Sequence, residues 1–167
     1  FTAAITTPAT VEEVLFGKGK LYIDATTIGT TQVANTLLGM SLQVNTGWIP
    51  KYTAEGNLYF SFAQSTKPEV LLNLTFEHNS SALAEKAAWR ANTTRLIRLN
   101  FAGNALTTNG TFTTKLLRID LAGKWEKFDK IGDMNGNDIV TGTFRAGYDA
   151  TAAKFAEIKV VNETASY

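Results

Sequence analysis

The chain has 167 residues, of which 44% are hydrophobic and 11% aromatic, so it is long and apolar enough for one domain with a hydrophobic core. It has no cysteine, which excludes disulfides and thiolate chemistry, and its single histidine argues against a His-based metal site or a catalytic triad. A formal net charge of +1 without a clustered basic segment argues against a nucleic-acid-binding protein. No apolar run approaches the roughly 20 residues that a membrane-spanning helix requires.

The N-terminal part of the chain predicts an arm followed by a strand. Residues 1–13 are rich in Ala and Thr and contain Pro8, a composition typical of an extended arm. The strand is predicted at residues 14–23. It contains the sequence Gly17-Lys18-Gly19-Lys20, which is similar to a phosphate-binding loop. However, Tyr22 occupies the place of the third glycine and a strand pattern follows, so we interpret the glycines as sites of close backbone approach or a bulge.

The next hundred residues predict a series of strands. A polar loop at residues 25–35 precedes a half-buried strand at residues 38–44. A long loop or hairpin at about residues 45–57 carries Trp48 and Tyr52, and a short strand at residues 58–62 follows it. The clearest alternation of apolar and polar residues occurs at residues 70–76, 97–101 and 117–121, and further strands are predicted at residues 139–148 and 155–161. Two Asn-Gly pairs predict tight turns, Asn109-Gly110 and Asn135-Gly136.

One segment, residues 81–92, predicts a helix because alanine dominates it and Ser81 can cap its start. At about 100° per residue, one face of this helix collects the small and apolar residues Leu83, Ala84, Ala87, Ala88 and Ala91. Trp89 falls on the opposite, charged face. We therefore expect a mainly β fold, sandwich- or barrel-like, flanked by one helix whose alanine face packs on a sheet and whose Trp89 points away from it.

Several candidate sites fail on spacing or composition. The segment Asp133–Asp138 suggests a calcium loop, but the positions that need Gly and Glu hold Asp138 and Phe144, so a β-turn is favoured. His78 has no evident nucleophile partner, and the carboxylates are scattered. The alternating charges and aromatics at residues 124–130 include acids, which argues against base stacking. We therefore expect no enzyme activity, no cofactor and no metal.

Three aromatics are the candidate functional residues: Trp48, Tyr52 and Trp89. A tryptophan on a charged helix face is covered either by a loop of its own chain or by another subunit, because tryptophan is enriched at interfaces. The first hypothesis is that these aromatics mediate self-association. A second is a carbohydrate-binding or adhesive β-sandwich, in which Trp48, Tyr52 and Trp125 stack on sugars.

The order of elements resembles that of the major tail tube proteins of long-tailed phages. The resemblance lies in the opening strand Gly17–Asp24, in the aromatic loop followed by strand, helix and strand, and in the C-terminal segments at residues 132–149 and 155–162. It covers most of the chain, although residues 46–66 have no residue-by-residue match. The whole chain, residues 1–167, would then be one tail tube domain.

The resemblance implies a structural virion protein located in the phage tail. Such subunits form hexameric rings that stack into a hollow tube, and sheets of neighbouring subunits line the lumen through which DNA passes. Arms and long loops bridge the rings. The implied partners are other copies of the chain and the tape measure, tail terminator and tail tip or baseplate proteins. DNA is a partner only in non-specific transit, and no membrane partner is implied. The strands containing Arg98/Asn100 and Arg118/Asp120 offer polar faces suited to the lumen. A tube of a contractile or secretion-type injection system remains an alternative.

Overall fold

The computed structural model describes residues 13–108 and 110–163, which form ten strands, one α-helix and one short 3₁₀ turn. This confirms the prediction of a mainly β fold with one helix. The strands are β1 Gly19–Asp24, β2 Leu37–Asn45, β3 Trp48–Lys51, β4 Phe62–Ser65, β5 Glu69–Glu77, β6 Arg95–Ala105, β7 Thr114–Phe128, β8 Gly132–Met134, β9 Asn137–Ala146 and β10 Ala156–Val161. The helix is α1 Ser80–Arg90, and the 3₁₀ turn is Phe16–Lys18.

Eight of the strands form one antiparallel sheet in the order β1-β6-β7-β9-β5-β2, with β10 paired to β7 and β8 paired to β9. The long strand β7 belongs to both halves of this sheet. Its residues 116–121 pair with β10, and its residues 123–128 pair with β9. A register shift between Trp125 and Lys127 interrupts the second pairing, and such a bulge increases the local bend and twist. The remaining strands, β3 and β4, form a separate two-stranded hairpin.

The two halves of the sheet face each other across one hydrophobic core. Strict alternation along β5 places every second residue inside, so that Val70, Leu72, Leu74 and Phe76 are buried while their neighbours are half-buried. The core is completed from the other half by residues of β1, β6 and β7, namely Leu21, Ile23, Ile97, Leu99, Phe101, Ile119 and Leu121. The alternation in the sequence therefore identified the inner faces of β5, of β6 and of residues 117–121 in β7.

The opening strand begins later than the sequence predicts. Phe16–Lys18 forms the 3₁₀ turn, and β1 starts at Gly19. A Cβ at Gly19 would lie 2.6 Å from the ring of Phe101, so the expectation of close approach is confirmed at Gly19, whereas the corresponding position at Gly17 is open. Residues 1–12 of the predicted arm and Asn109 of one predicted turn lie outside the described residues.

The sequence leaves open a long hairpin or a loop at residues 45–57, and the structure has a hairpin there, in which β3 pairs with β4 in the register Trp48↔Ser65 to Lys51↔Phe62. The predicted strand at residues 58–62 is wrong in part, because β4 begins only at Phe62. The chain between the two strands, including Leu58, is irregular. The other predicted turn is confirmed, because Asn135 and Gly136 have positive φ values of 55° and 84° and connect β8 to β9.

The helix is placed correctly by the sequence, but its cap and its buried face differ from the prediction. Asn79 is the N-cap, because its Oδ1 accepts hydrogen bonds from the backbone N–H groups of Ser81 and Ala82 at 3.0 and 3.1 Å. The buried residues of α1 are Ala82 and Ala88, while Leu83 is 50% exposed. The helix is therefore rotated from the orientation that its alanine pattern suggests.

Candidate self-association surface

The β3–β4 hairpin exposes the largest group of apolar side chains among the described residues. Trp48 is 62% exposed, Tyr52 69% and Leu58 100%. Ile49, Tyr59, Phe60 and Phe62 are also exposed. We call this segment, residues 48–65, the aromatic hairpin. It carries only two charged residues, Lys51 and Glu55, so its surface is apolar with little electrostatic character.

Both faces of the aromatic hairpin carry apolar side chains. Directly paired residues of antiparallel strands lie on the same face. Trp48 and Pro50 therefore share one face, and Ile49 and Phe62 share the other. Because neither face is covered by the sheet, the hairpin gains little burial within its own chain. A two-stranded hairpin of this kind is marginally stable in water by itself.

The root of the aromatic hairpin is fixed by hydrogen bonds. The carbonyl oxygen of Gly47 accepts from both the backbone N–H and the Oγ1 of Thr66, each at 2.7 Å, and Asn45 Oδ1 accepts from Gly47 N at 3.0 Å. Gly47 has a φ of +73°, and a Cβ there would lie 2.6 Å from the carbonyl oxygen of Thr66. Only glycine fits this conformation easily, so the direction in which the hairpin leaves the sheet is specified.

Trp89, the third candidate interface residue, does not point away from the sheet as predicted. Its ring packs against the core, 5.9 Å from the ring of Phe128, and its Nε1 donates to the carbonyl oxygen of Glu126 at 3.0 Å. The hydrogen bond to β7 satisfies the indole and draws this side of α1 toward the strand. The cover for Trp89 thus comes from its own chain, which removes the reason for assigning it to an interface.

Trp125 is likewise part of the core, with an exposure of 4%. Its ring contacts Phe76, Phe128 and Phe144 at centroid distances of 5.8, 4.9 and 5.3 Å. Its Nε1 donates to Glu85 Oε2 at 2.9 Å, and the same carboxylate accepts from Arg95 Nε. Trp125 therefore cannot stack on a sugar, contrary to its role in the carbohydrate-binding hypothesis.

The charged face of β6 and β7, which the sequence suggested as a lumen surface, is partly covered. Arg98 donates to both carboxylate oxygens of Asp120 at 2.7 Å, and this pairing, partly opposed by burial, raises the pKa of the Arg98 guanidinium. Asp120 is buried, and Gly29 of the loop at residues 25–32 lies against the guanidinium. This pair therefore serves the subunit's own structure.

A second polar face, on β2, β5 and β9, is almost free of charge along its centre. Its centre consists of the hydroxyl and amide side chains of Ser41, Asn73, Thr75, Thr141 and Thr143, of which Thr143 is buried. Toward its ends the same face carries Gln43, which is level with Leu71 and Arg145, and the carboxylates Glu69 and Glu77. Thr143 Oγ1 donates to Asn73 Oδ1 at 2.7 Å, and the hydroxyls of Thr75 and Thr141 lie 3.2 Å apart. Sequence analysis missed this face because uncharged polar residues on alternate strand positions give no motif.

The other segments that the sequence suggested as possible sites, residues 133–138 and His78, have structural roles. The segment at residues 133–138 is the β8–β9 hairpin, and His78 donates its backbone N–H to the carbonyl oxygen of Asp138 at 2.8 Å. Over residues 13–108 and 110–163, no group of three His, Cys, Asp or Glu side chains could hold a metal ion. The single described helix is too short and too polar to cross a membrane.

Sequence analysis also missed the apolar run Leu58-Tyr59-Phe60, which it assigned to a strand. The sequence feature that could have indicated its exposure is a run of three large apolar residues without alternation between Gly56 and Pro68, where turn residues are frequent.

Comparison of the sequence with models of protein families and with curated proteins finds no match.

Proposed function

We propose that the chain is a structural subunit that self-assembles into stacked rings forming a phage tail tube. The observation that carries this proposal is the aromatic hairpin, a segment with seven exposed large apolar side chains and a fixed root. A large exposed apolar patch on a folded chain marks a site of contact with a protein, a membrane or a ligand. Its content of Trp, Tyr and Phe matches the composition that distinguishes interface cores.

The polar face of β2, β5 and β9, which is uncharged at its centre, supports a channel-forming role. Phosphate groups bind proteins mainly through Lys and Arg, with release of counterions. The hydroxyl and amide groups at the centre of this face offer hydrogen bonds but no net attraction for a polyanion, and Arg145 nearby is paired with Glu69 and Glu126. Such a surface suits a conduit through which DNA must move. We infer that this face, instead of the charged Arg98/Asp120 face, is the better candidate for the lumen.

The resemblance supplies the remaining details of the proposal. Rings would be hexameric, and the tape measure, terminator and tip or baseplate proteins would be partners at the two ends. The subunit would need no cofactor and would reside in the virion. A tube of a contractile or secretion-type system would use the same surfaces with a sheath or an effector as an additional partner.

Sedimentation velocity and negative-stain microscopy of the purified chain test the proposal. Rings or tubes are expected, and a strictly monomeric wild-type protein up to high concentration would overturn it. Tyr52→Ala should weaken assembly, and the double variant Trp48→Ala/Tyr52→Ala should abolish it. Tyr148→Ala is the matched control, because Tyr148 is 70% exposed outside the hairpin and should leave assembly unchanged.

Binding of the monomer to a glycan array would instead favour the carbohydrate-binding alternative. Because Trp125 is buried in the core, the aromatics that could stack on a sugar under that alternative are Trp48 and Tyr52. The same Trp48→Ala/Tyr52→Ala variant separates the two hypotheses, since it should abolish glycan binding in one case and assembly in the other.

A further inference from the structure

The two halves of the sheet leave an apolar cleft between the edge strands β2 and β10. Its volume is about 390 Å³. It is lined mainly by apolar side chains, among them Leu42, Val44, Val70, Leu121, Phe155 and Ile158, and no charged residue lines it. Val44 and Ile158 are about half exposed. The interior of the fold is thus open to solvent along one side.

Both strands that border this cleft are edges of the sheet. Within the described part of the chain, β2 pairs with β5 alone and β10 pairs with β7 alone. Exposed edges with inward-facing apolar side chains are a liability in a monomer, because they attract further strands or apolar segments. The structure therefore contains two uncovered apolar surfaces, the cleft and the aromatic hairpin.

The cleft lies next to the root of the aromatic hairpin. Asn45, Thr46 and Pro68 border the cleft, and these residues flank the root of the hairpin at Gly47 and Thr66. The exposure of Trp48 and Phe62 shows that the hairpin does not fold back to fill the cleft of its own chain. A subunit that received an apolar segment in its cleft would still present its own hairpin nearby.

We propose that the cleft is the receptor for the aromatic hairpin of a second copy of this chain. The proposal rests on the proposed function, since it names the surface that the hairpin contacts during self-assembly. The interface is heterologous, joining two different surfaces of one chain, and such contacts repeat into rings or filaments. A symmetric hairpin-to-hairpin contact would leave the cleft uncovered, whereas the heterologous contact covers both apolar surfaces at once.

A mixing experiment tests this arrangement. Val44→Glu and Ile158→Glu, made separately, place a carboxylate in the cleft at half-exposed positions. Leu38→Glu is the matched control, because Leu38 lies on the same strand and is similarly exposed but does not line the cleft. The hairpin-deficient partner is Trp48→Ala/Tyr52→Ala. Circular dichroism establishes that each variant is folded.

Each cleft variant should raise the apparent dissociation constant of assembly by about 30-fold or more, as expected for a residue at the centre of an interface, while Leu38→Glu should assemble like wild type. A cleft variant mixed with the hairpin variant should form a 1:1 dimer and stop there, because one intact hairpin and one intact cleft remain. Sedimentation velocity measures both results.

The outcomes separate this inference from the proposed function. If the hairpin variant fails to assemble but both cleft variants assemble like wild type, self-association stands and the cleft is not the receptor. If the two variant types stay monomeric when mixed, the interface is not heterologous and the inference is overturned. If wild-type protein itself does not assemble, the proposed function fails first.

Discussion

The orientation of α1 provides the sharpest test of the structure, because the sequence and the structure predict opposite results. The alanine pattern places Leu83 against the sheet and Trp89 in solvent. The structure places Trp89 against Phe128 and leaves Leu83 half exposed. The variants Trp89→Ala and Leu83→Ala therefore distinguish the two orientations.

The expected magnitudes follow from the contacts. Truncation of a fully buried tryptophan to alanine costs about 3–5 kcal/mol. Trp89 is partly buried, which reduces that figure, but the variant also loses the 3.0 Å hydrogen bond to the Glu126 carbonyl, worth about 1 kcal/mol. We expect Trp89→Ala to lower the free energy of unfolding by about 2–4 kcal/mol. Leu83→Ala should change it by less than about 0.5 kcal/mol, as is usual for exposed sites.

Urea unfolding followed by circular dichroism measures both variants. It should be performed at several protein concentrations, because concentration dependence would show that subunit dissociation contributes to the transition. Equal effects of the two substitutions would refute the described orientation. A Trp89→Ala variant of unchanged stability that no longer assembles would restore the original hypothesis of an interface residue.

Two further predictions concern the loop after β1 and the root of the hairpin. Burial raises the pKa of the Asp24 carboxyl, but hydrogen bonds from Thr30 and Thr31 outweigh it and hold the pKa below its ordinary value of 3.8. The carboxylate therefore stabilises the fold fully above that value, and its contribution is lost as the pH falls through the lowered pKa. In urea titrations, Asp24→Asn should be less stable than wild type by about 1–3 kcal/mol at pH 7, with a difference that shrinks below about pH 4; a constant difference would contradict this account. Gly47→Ala forces a left-handed conformation on alanine at a cost of about 1–2 kcal/mol and brings its Cβ against the Thr66 carbonyl, so it should weaken assembly measured by sedimentation, whereas Gly56→Ala, at an open position with a φ of +77°, should have a smaller effect.

Much of the fold follows from local sequence signals. Alternation of apolar and polar residues identified β5, β6 and the first half of β7, because every second residue there faces the core. The failures occurred where tertiary contacts override local pattern. The orientation of α1 depends on the hydrogen bond that Trp89 donates to β7, 37 residues away along the chain. The periodicity of residues within the helix carries no information about such a distant partner.

The candidate surface was partly predictable. Trp48 and Tyr52 stood out as aromatics in a segment rich in turn residues, and both are exposed. A hairpin was one of the two alternatives for this segment, but its second strand was placed too early, at residues 58–62, whereas β4 spans Phe62–Ser65. The cleft could not be predicted, because it is formed by β2 and β10, which are separated by more than a hundred residues of sequence.

The shared strand β7 limits how the two halves of the sheet can separate during unfolding. Since its two ends belong to opposite halves of the sheet, neither half can detach while β7 remains paired in the other. The halves should therefore unfold as one cooperative unit, and amide hydrogens in the middle of β7 should exchange with solvent only through global unfolding. A subunit of this construction can transmit a pull on β10 to β9 through the backbone of β7 and its two hydrogen-bonded pairings, without relying on side-chain packing between the layers.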